Sequence, residues 1–416
     1  MSMSKAVYSH RTSDGLLNIP LSTIAWLTCV NLAMFGEAIQ NLTGFSYCDE
    51  AATLLLAAAM AARLVKGDAF SSPSAKKGAV AASTSLLLFL AVGFLGNLSG
   101  DAGAQLPAIL TDAFTCAKFP IALIASVCVF ADRHDLAVLF EAEAKLIMLV
   151  MFVLAVANLA FDFGMGSEAR FGFRSSFSFV FSHPTYLVIC AVGLSVVLMG
   201  HHSSNMLWIA MALFVAALSL RSKGIVYAAV CLFLLLTFGT RNKLTLLHVL
   251  LGGSVALVIG WDQYVNYYQS TGYARAELAR QAFSVAGDYF PLGSGFATYG
   301  SAVTADLENY SMLYYRYGLS NVWGLAPGAT VFLSDTFWPT VLGEFGWFGL
   351  LLYAACLIAL FLLCCRSGGG ARLPVVCCFA YLLISSTSES AFFNPGSVYL
   401  AMCIGIAIAI VRGRSQ

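Results

Sequence analysis

The chain has 416 residues, of which 59% are hydrophobic and 10% are charged, and its mean hydropathy is +0.82. Because soluble domains contain about 25% charged residues, this composition excludes a water-soluble globular protein and predicts an all-α polytopic membrane protein embedded in a lipid bilayer. The net charge of +1, from 22 Lys and Arg against 21 Asp and Glu, excludes a nucleic-acid binder that works through bulk positive charge.

Apolar runs that approach the length of a membrane span recur along the whole chain. A helix needs about 20 mostly apolar residues to cross the hydrocarbon core, so we predict one integral membrane domain, residues 1–416, with about 12 transmembrane helices. The predicted spans are 17–40, 50–66, 79–97, 105–130, 136–161, 184–200, 204–220, 224–240, 244–263, 336–364, 373–390 and 397–411.

Basic residues between the spans set the predicted orientation. Connections on one side carry most of the cations, including Arg63, Lys66, Lys76 and Lys77, and this bias predicts that both termini are cytoplasmic. The opposite side should hold few cations. It holds seven, which are Arg170, Arg174, Arg221, Lys223, Arg275, Arg280 and Arg316.

These cations come from three separate connections and meet at one face of the predicted bundle. The planar guanidinium group makes paired hydrogen bonds to phosphate, so the set predicts a site for an anionic lipid head group, such as a phosphate or diphosphate. The alternative is that each cation only anchors its helix end at the membrane surface. Arg275 and Arg280 are five residues apart on a predicted helix and should not share a face, whereas Arg316, between tyrosines, is expected to stack on aromatic rings.

One large extracytoplasmic loop, residues 264–335, separates predicted spans nine and ten. Its content of Tyr, Trp, Gly and Pro predicts ordered structure. Residues 273–286 lack Gly and Pro and predict a helix with Leu278, Ala282 and Val285 on one stripe, and residues 291–295 predict a turn. The loop contains no cysteine, so we expect packing against the membrane domain to hold it.

Two residues beside the cation-rich face are candidates for acid–base chemistry. Asp335 directly precedes span ten, where its carboxylate either accepts a proton from a sugar hydroxyl or caps the helix, and these roles are compatible. His183 opens span six and is either a base or a hydrogen-bonding residue at the helix entry.

Among the charged residues that fall inside predicted spans, where charge is costly, we single out four as functional candidates: Asp112, Lys118, Glu344 and Glu389. Asp112 and Lys118 are six residues apart, off the spacing at which helix neighbours meet, so each should have partners on other helices. Glu344 lies about two turns inside span ten, between glycines that favour close helix packing.

The sequence shows none of the common cofactor or metal motifs. Almost all of the 12 cysteines lie in apolar runs without metal-ligand spacing, and no Gly-rich phosphate loop, His-Glu-x-x-His helix or Asp-x-Asp pair is present. We therefore predict no metal and no cofactor, with a bound diphosphate neutralised by arginines.

Several stretches resemble the superfamily of O-antigen polymerases and O-antigen ligases. The similar stretches are FSFVFSHPTY at 177–186, LSLRSKG at 218–224, DYFPLGSGF at 288–296, SDTFWP at 334–339 and EFGWFG at 344–349. The resemblance covers residues 161–353 and includes the large loop before span ten.

The resemblance implies a membrane-embedded glycosyltransferase of GT-C-like architecture in the bacterial inner membrane, with its active site facing the periplasm. Such enzymes move oligosaccharide units from undecaprenyl diphosphate to a hydroxyl of an acceptor glycan, without a metal or nucleotide sugar. On this reading Arg275 and Asp335 are catalytic, and Arg170, Arg174, Arg221, Lys223 and Arg275 hold the diphosphate. His183, Glu344 and Arg280 are supporting candidates.

One departure from the superfamily favours a polymerase of O-antigen, exopolysaccharide or capsule. Ligases of this superfamily carry a histidine as the presumed base just before the span that follows the loop, where this chain has Asp335. Two alternatives stay open, namely an O-antigen ligase acting on a lipid A-core acceptor and a transporter or flippase of lipid-linked sugars. A partner that regulates chain length would accompany a polymerase.

Overall fold

The computed structural model describes residues 19–70, 72–161, 163–170, 174–238, 272–305, 309–367 and 371–414, and isolated positions 253, 254, 261 and 265. Among these described residues the structure is 75% helical with almost no sheet, as predicted for an all-α membrane protein. Most of predicted span 244–263 and part of the large loop lie outside the described residues.

The first part of the chain forms helices and one small hairpin. The elements are α1 (Leu21–Met34), α2 (Gly36–Thr43), α3 (Cys48–Lys66), α4 (Pro73–Ser99), α5 (Leu106–Phe130), α6 (His134–Ala160), β1 (Gly166–Arg170), β2 (Arg174–Phe177), α7 (Pro184–Leu198), α8 (His202–Leu218) and α9 (Ser222–Phe238). The two strands pair antiparallel, with Arg170 opposite Arg174.

The second part of the chain begins with three helices of the predicted large loop and ends with long apolar helices. The elements are α10 (Ala274–Asp288), α11 (Ala302–Ala305), α12 (Met312–Arg316), α13 (Trp338–Ser367), α14 (Arg372–Ser385) and α15 (Gly396–Gly413). The polar hairpin and the short helices all lie in connections predicted to be external.

Five described helical segments are long and apolar enough to cross a membrane. They are Pro73–Ser99, Leu106–Phe130, Pro184–Leu218, Trp338–Ser367 and Gly396–Gly413. A sixth is the pair α1 and α2, if it counts as one span, because the two helices meet at an angle of 74°. The chain therefore has the character of a multi-pass membrane protein, and the number of 12 spans stays a prediction.

The segment Pro184–Leu218 contains two helices that fold back on each other at a short turn, Met199–His201. Their outer ends meet, because Nη2 of Arg221, just after α8, lies 2.7 Å from Nε2 of His183, just before α7. The turn agrees with the boundary predicted between spans six and seven.

Helix α13 differs from the continuous span predicted at 336–364. The rings of Phe337 and Tyr353 are 5.7 Å apart, whereas 16 residues of straight α-helix would separate them by about 24 Å. Both rings also contact Phe393. The chain reverses at Gly346, whose φ of 61° and ψ of −166° are not helical, and residues 338–345 run back beside the following helix. Glu344 therefore precedes the spanning helix and does not lie two turns inside it.

Replacing Gly346 with Ala should destabilise the fold strongly. A side chain there would hold a strained positive φ, and its Cβ would lie 2.7 Å from both Gly293 N and Pro291 O. We expect a loss of at least about 1–3 kcal/mol, seen as a lower midpoint of thermal unfolding in detergent. Gly287→Ala is the control, because a Cβ at Gly287 meets nothing within 4 Å. Equal midpoints for the two variants would contradict the reversal.

The described residues of the predicted large loop pack against neighbouring helices. Leu278, Ala282 and Val285 are buried on one side of α10, whose bounds are close to the predicted helix at 273–286. This face shares a core with Tyr299 and Leu342. The predicted turn at 291–295 is also present, because the amide of Gly293 donates to the carbonyl oxygen of Tyr289 at 2.9 Å and both Gly293 and Gly295 have positive φ.

Two predictions about charged residues in spans have different outcomes. Lys118 binds Asp49 at 2.5 Å and Glu50 at 2.8 Å, so its partners lie on another helix as predicted. Glu389 was expected inside span 373–390, but α14 ends at Ser385. The polar run after that residue forms turns, so Glu389 lies in the connection between α14 and α15.

Candidate functional site

Charged residues from four separate segments form a cluster at one end of the bundle. Arg275, in the first turn of α10, donates to Asp335 over 2.8 Å. Lys223, in the first turn of α9, forms an ion pair with Glu389. Arg221, before α9, contacts His183. We call Arg221, Lys223, Arg275, Asp335 and Glu389 the charge cluster.

Its two ion pairs lie close together. Asp335 interacts electrostatically with both Glu389 and Lys223, and Lys223 interacts with Arg221 and Arg275. A serine joins the two carboxylate-bearing segments, because the hydroxyl of Ser390 donates to the carbonyl oxygen of Ser334 at 2.9 Å. The cluster is therefore one unit, as the sequence predicted for the cations of separate connections.

The carboxylate of Asp335 faces Arg275 and does not cap a helix, since α13 begins only at Trp338. The capping interpretation is wrong for this reason. Burial raises the pKa of Asp335 above its usual value, and the nearby Arg275 opposes part of this rise. A carboxylate with a raised pKa is a stronger base, which suits it to accept a proton from a hydroxyl.

His183 serves the helix entry. It is the N-cap residue of α7, with Nδ1 of its ring 3.3 Å from the amide nitrogen of Thr185. Partial burial, together with Arg221 and Lys223, lowers the pKa of His183 to about 4. The ring is therefore neutral at pH 7, and Nε2 accepts a hydrogen bond from Arg221. With that lone pair engaged, the arrangement favours the helix-entry role over a role as base.

A cavity of about 370 Å³ opens beside the cluster. Its lining residues are Gly272, Tyr273, Ala274, Arg275, Trp323, Phe332 and Asp335. The rings of Trp323 and Phe332 pack edge to face with centroids 5.1 Å apart. Aromatic faces beside a carboxylate and a guanidinium group provide an apolar body with a few polar contacts, as is usual for small-molecule sites.

Two predicted cations lie away from the cluster. Arg280 is 55% exposed and pairs with Glu277 on its own helix, so it does not share a face with Arg275, as predicted. Arg316 was expected to stack on rings, but its guanidinium binds the carboxylate of Asp101 at 2.7 Å and the hydroxyl of Tyr289. The ion pair forms because Asp101 stands on the facing connection between α4 and α5. Arg316 and Tyr289 together lower the pKa of Asp101.

The side chains of Arg170 and Arg174 lie outside the described part of the structure, and their role in the site stays a prediction. The backbones of both residues belong to the β1–β2 hairpin. Glu168 in the same hairpin lies 4.0 Å from Arg221, so the hairpin reaches the charge cluster.

Glu344 and Asp112 hold the loop that follows α10. Oε1 of Glu344 accepts from the backbone amides of Thr298 and Tyr299 at 2.9 and 3.0 Å. Asp112 accepts from the amide of Ala297 and the hydroxyl of Ser301. Asp112 thus has its partners outside its own helix, as predicted. Tyr299 in turn donates to the carbonyl oxygen of Leu278, so this loop supports the helix that carries Arg275.

A pair of substitutions separates this supporting role of Glu344 from catalysis. Glu344→Ala leaves two buried amides without an acceptor, at about 1–3 kcal/mol each, and should lower the midpoint of thermal unfolding. Glu344→Gln keeps a carbonyl oxygen for the amides and should retain most activity. A stable Glu344→Gln protein without activity would instead make Glu344 a catalytic group.

Glu389 is the cluster residue that reasoning from the sequence singled out only as a charge within a span. The available signal was the polar run Ser385–Ser390 at the end of predicted span eleven, which marks an early helix end. Within the part of the chain that the structure describes, no group of three or more His, Cys, Asp or Glu could hold a metal ion.

No protein-family model matches this chain, and no curated protein matches it at a significant level.

Proposed function

We propose that this protein is a membrane-embedded glycosyltransferase, similar to the O-antigen polymerases, that transfers polyprenyl-diphosphate-linked oligosaccharide units to a sugar hydroxyl of an acceptor glycan. The observation that carries the proposal is the charge cluster, in which Arg275 binds Asp335 at the mouth of an aromatic cavity, Lys223 lies near Asp335, and Arg221 lies near Lys223.

The cluster suits both charges that develop in this reaction. Asp335 accepts the proton of the acceptor hydroxyl, whose oxygen then bonds to the anomeric carbon of the donor sugar. The bond from that carbon to the diphosphate oxygen breaks, and polyprenyl diphosphate leaves with the bonding electrons. Arg275 and Lys223 neutralise the leaving group, and cations placed where negative charge develops are a strong source of rate enhancement.

The cavity suits a sugar. Tyr273, Trp323 and Phe332 offer apolar faces, and Arg275 and Asp335 supply polar contacts at one side. A sugar ring placed there would present a hydroxyl to Asp335. The diphosphate would lie on the other side of Asp335, toward Lys223 and Arg221.

The proposal includes the predicted topology of about 12 spans, with the loop at 264–335 between spans nine and ten. Both termini are cytoplasmic in this arrangement, and the charge cluster faces the periplasm of a bacterial inner membrane. We also propose that Arg170 and Arg174, whose side chains lie outside the described structure, bind the diphosphate.

A deletion strain tests the proposed class of enzyme. Loss of a polymerase should leave surface glycans with single repeat units, and the gene supplied in trans should restore long chains. An O-antigen ligase would instead leave long lipid-linked chains that never reach the lipid A-core. Normal chain length and attachment in the deletion strain would contradict both.

Two observations favour a second candidate, a transporter of lipid-linked sugars. Residues 338–345 double back at Gly346, and α1 meets α2 at an angle of 74°. Both are broken helices, which are common in transporters. Proteoliposomes separate the candidates, because a transporter moves the lipid-linked sugar across the bilayer without forming a glycosidic bond.

A further inference from the structure

Two of the three cations of the charge cluster, Lys223 and Arg275, are already paired with carboxylates of the cluster. Lys223 contacts Glu389, and their side chains are only 11% and 17% exposed. Arg275 contacts Asp335 at 2.8 Å, with side-chain exposures of 20% and 26%. A diphosphate that approached these cations would therefore meet two partly buried carboxylates of its own sign.

Both carboxylates belong to connections and not to helices. Glu389 lies between α14 and α15, and Asp335 lies in the segment before α13. The hydroxyl of Ser390 donates to the carbonyl oxygens of Ser334 and Thr336, so the two segments are tied together beside the cations. A shift of one of these segments would therefore also move the other segment and its carboxylate.

We propose that Glu389 and Asp335 are displaceable counterions, which leave Lys223 and Arg275 when a lipid-linked diphosphate binds and return when it departs. The inference rests on the proposed function and adds a residue, Glu389, to it. Without substrate, the carboxylates stabilise the clustered cations. On binding, the phosphate oxygens replace them, and Asp335 is released from Arg275 and becomes available to the acceptor hydroxyl.

Counterion exchange makes an unusual prediction for binding. Replacing a competing carboxylate with a neutral amide of the same shape should tighten diphosphate binding, whereas loss of a merely structural contact would weaken or not change it. We expect Glu389→Gln to bind inorganic pyrophosphate at least about fivefold more tightly than the wild type. Turnover should not rise with affinity, since the leaving diphosphate is then held longer.

The measurement is calorimetric titration of the detergent-purified full-length protein with inorganic pyrophosphate, and then with farnesyl diphosphate as a lipid-linked probe. Glu389→Asp keeps the charge and should bind like the wild type. Glu277→Gln is the control, because Glu277 pairs with Arg280 outside the cluster. Asp335→Asn removes the second counterion, and it should also tighten binding.

Unchanged or weaker pyrophosphate binding by folded Glu389→Gln would overturn the inference, as would the absence of pyrophosphate binding in every variant. If Glu389→Gln does not fold, the pyrophosphate affinity of Asp335→Asn tests the inference by the same criteria. Tighter binding by the variants without any glycosyl transfer by the wild type would refute the proposed function alone. Glycosyl transfer by the wild type without tighter binding by the variants would refute the exchange alone.

Discussion

Arg275→Ala should lower kcat/KM for glycan transfer by about 100- to 1,000-fold, the loss typical when one charge-stabilising donor is removed from an active site. Arg275 contacts Asp335 and lines the cavity, so it stands where the diphosphate and the acceptor would meet. Arg275→Lys should also be impaired, because an ammonium group cannot make the paired hydrogen bonds of guanidinium.

Arg280→Ala provides a matched control for Arg275→Ala. Both residues belong to α10, but Arg280 is exposed and pairs with Glu277. Transfer should be measured with equal amounts of folded protein in each variant. Normal transfer by Arg275→Ala, or an equal loss with Arg280→Ala, would contradict the assignment of Arg275.

Asp335→Asn should lower kcat by about 100- to 10,000-fold, because an amide cannot accept the proton of the acceptor hydroxyl. The pH dependence should identify the group. Burial raises the pKa of Asp335 above the usual value for aspartate. Wild-type activity should therefore fall with decreasing pH as Asp335 becomes protonated, and this fall should begin at a higher pH than an ordinary aspartate would give.

The raised pKa of Asp335 also makes the stability of the fold depend on pH, in the direction opposite to that of activity. A carboxyl group that binds its proton more tightly in the folded state adds stability at low pH, which is lost as the pH rises through the folded-state pKa. Asp335→Asn should remove this dependence while the protein still folds. Full activity of Asp335→Asn, or an unchanged acidic limb in its residual activity, would show that Asp335 is not the base.

The class of fold and much of the charge cluster could be predicted from the sequence, because both depend on the hydropathy pattern and on the placement of cations along the chain. Hydropathy marks apolar helices, and cations on the unexpected side of a membrane have few purely topological explanations. Arg221, Lys223 and Arg275 were singled out in this way and do come together. The stripe of small and apolar residues likewise predicted α10 and its buried face.

The reversal at Gly346 could not be read from hydropathy, because residues 338–345 are apolar whichever way they run. It depends on a positive φ at one glycine and on contacts with Gly293 and Pro291, which are distant in the sequence. The same reversal changes the interpretation of Glu344, which binds backbone amides of a loop and supports α10.

Glu389 illustrates a second limit of reasoning from sequence. Its place at the end of an apolar run suggested a charge within a span. Its ion-pair partner, Lys223, is 166 residues away in the sequence. Such ion pairs are set by helix packing, which a single sequence does not reveal.

The most direct test of the central claim is an extension assay with purified protein and a lipid-linked oligosaccharide as both donor and acceptor, in the presence of a chelator and without nucleotide sugars. A polymerase predicts a ladder of longer lipid-linked glycans that depends on Arg275 and Asp335. A folded protein that formed no glycosidic bond but carried the lipid-linked sugar across proteoliposome membranes would be a transporter and not a polymerase.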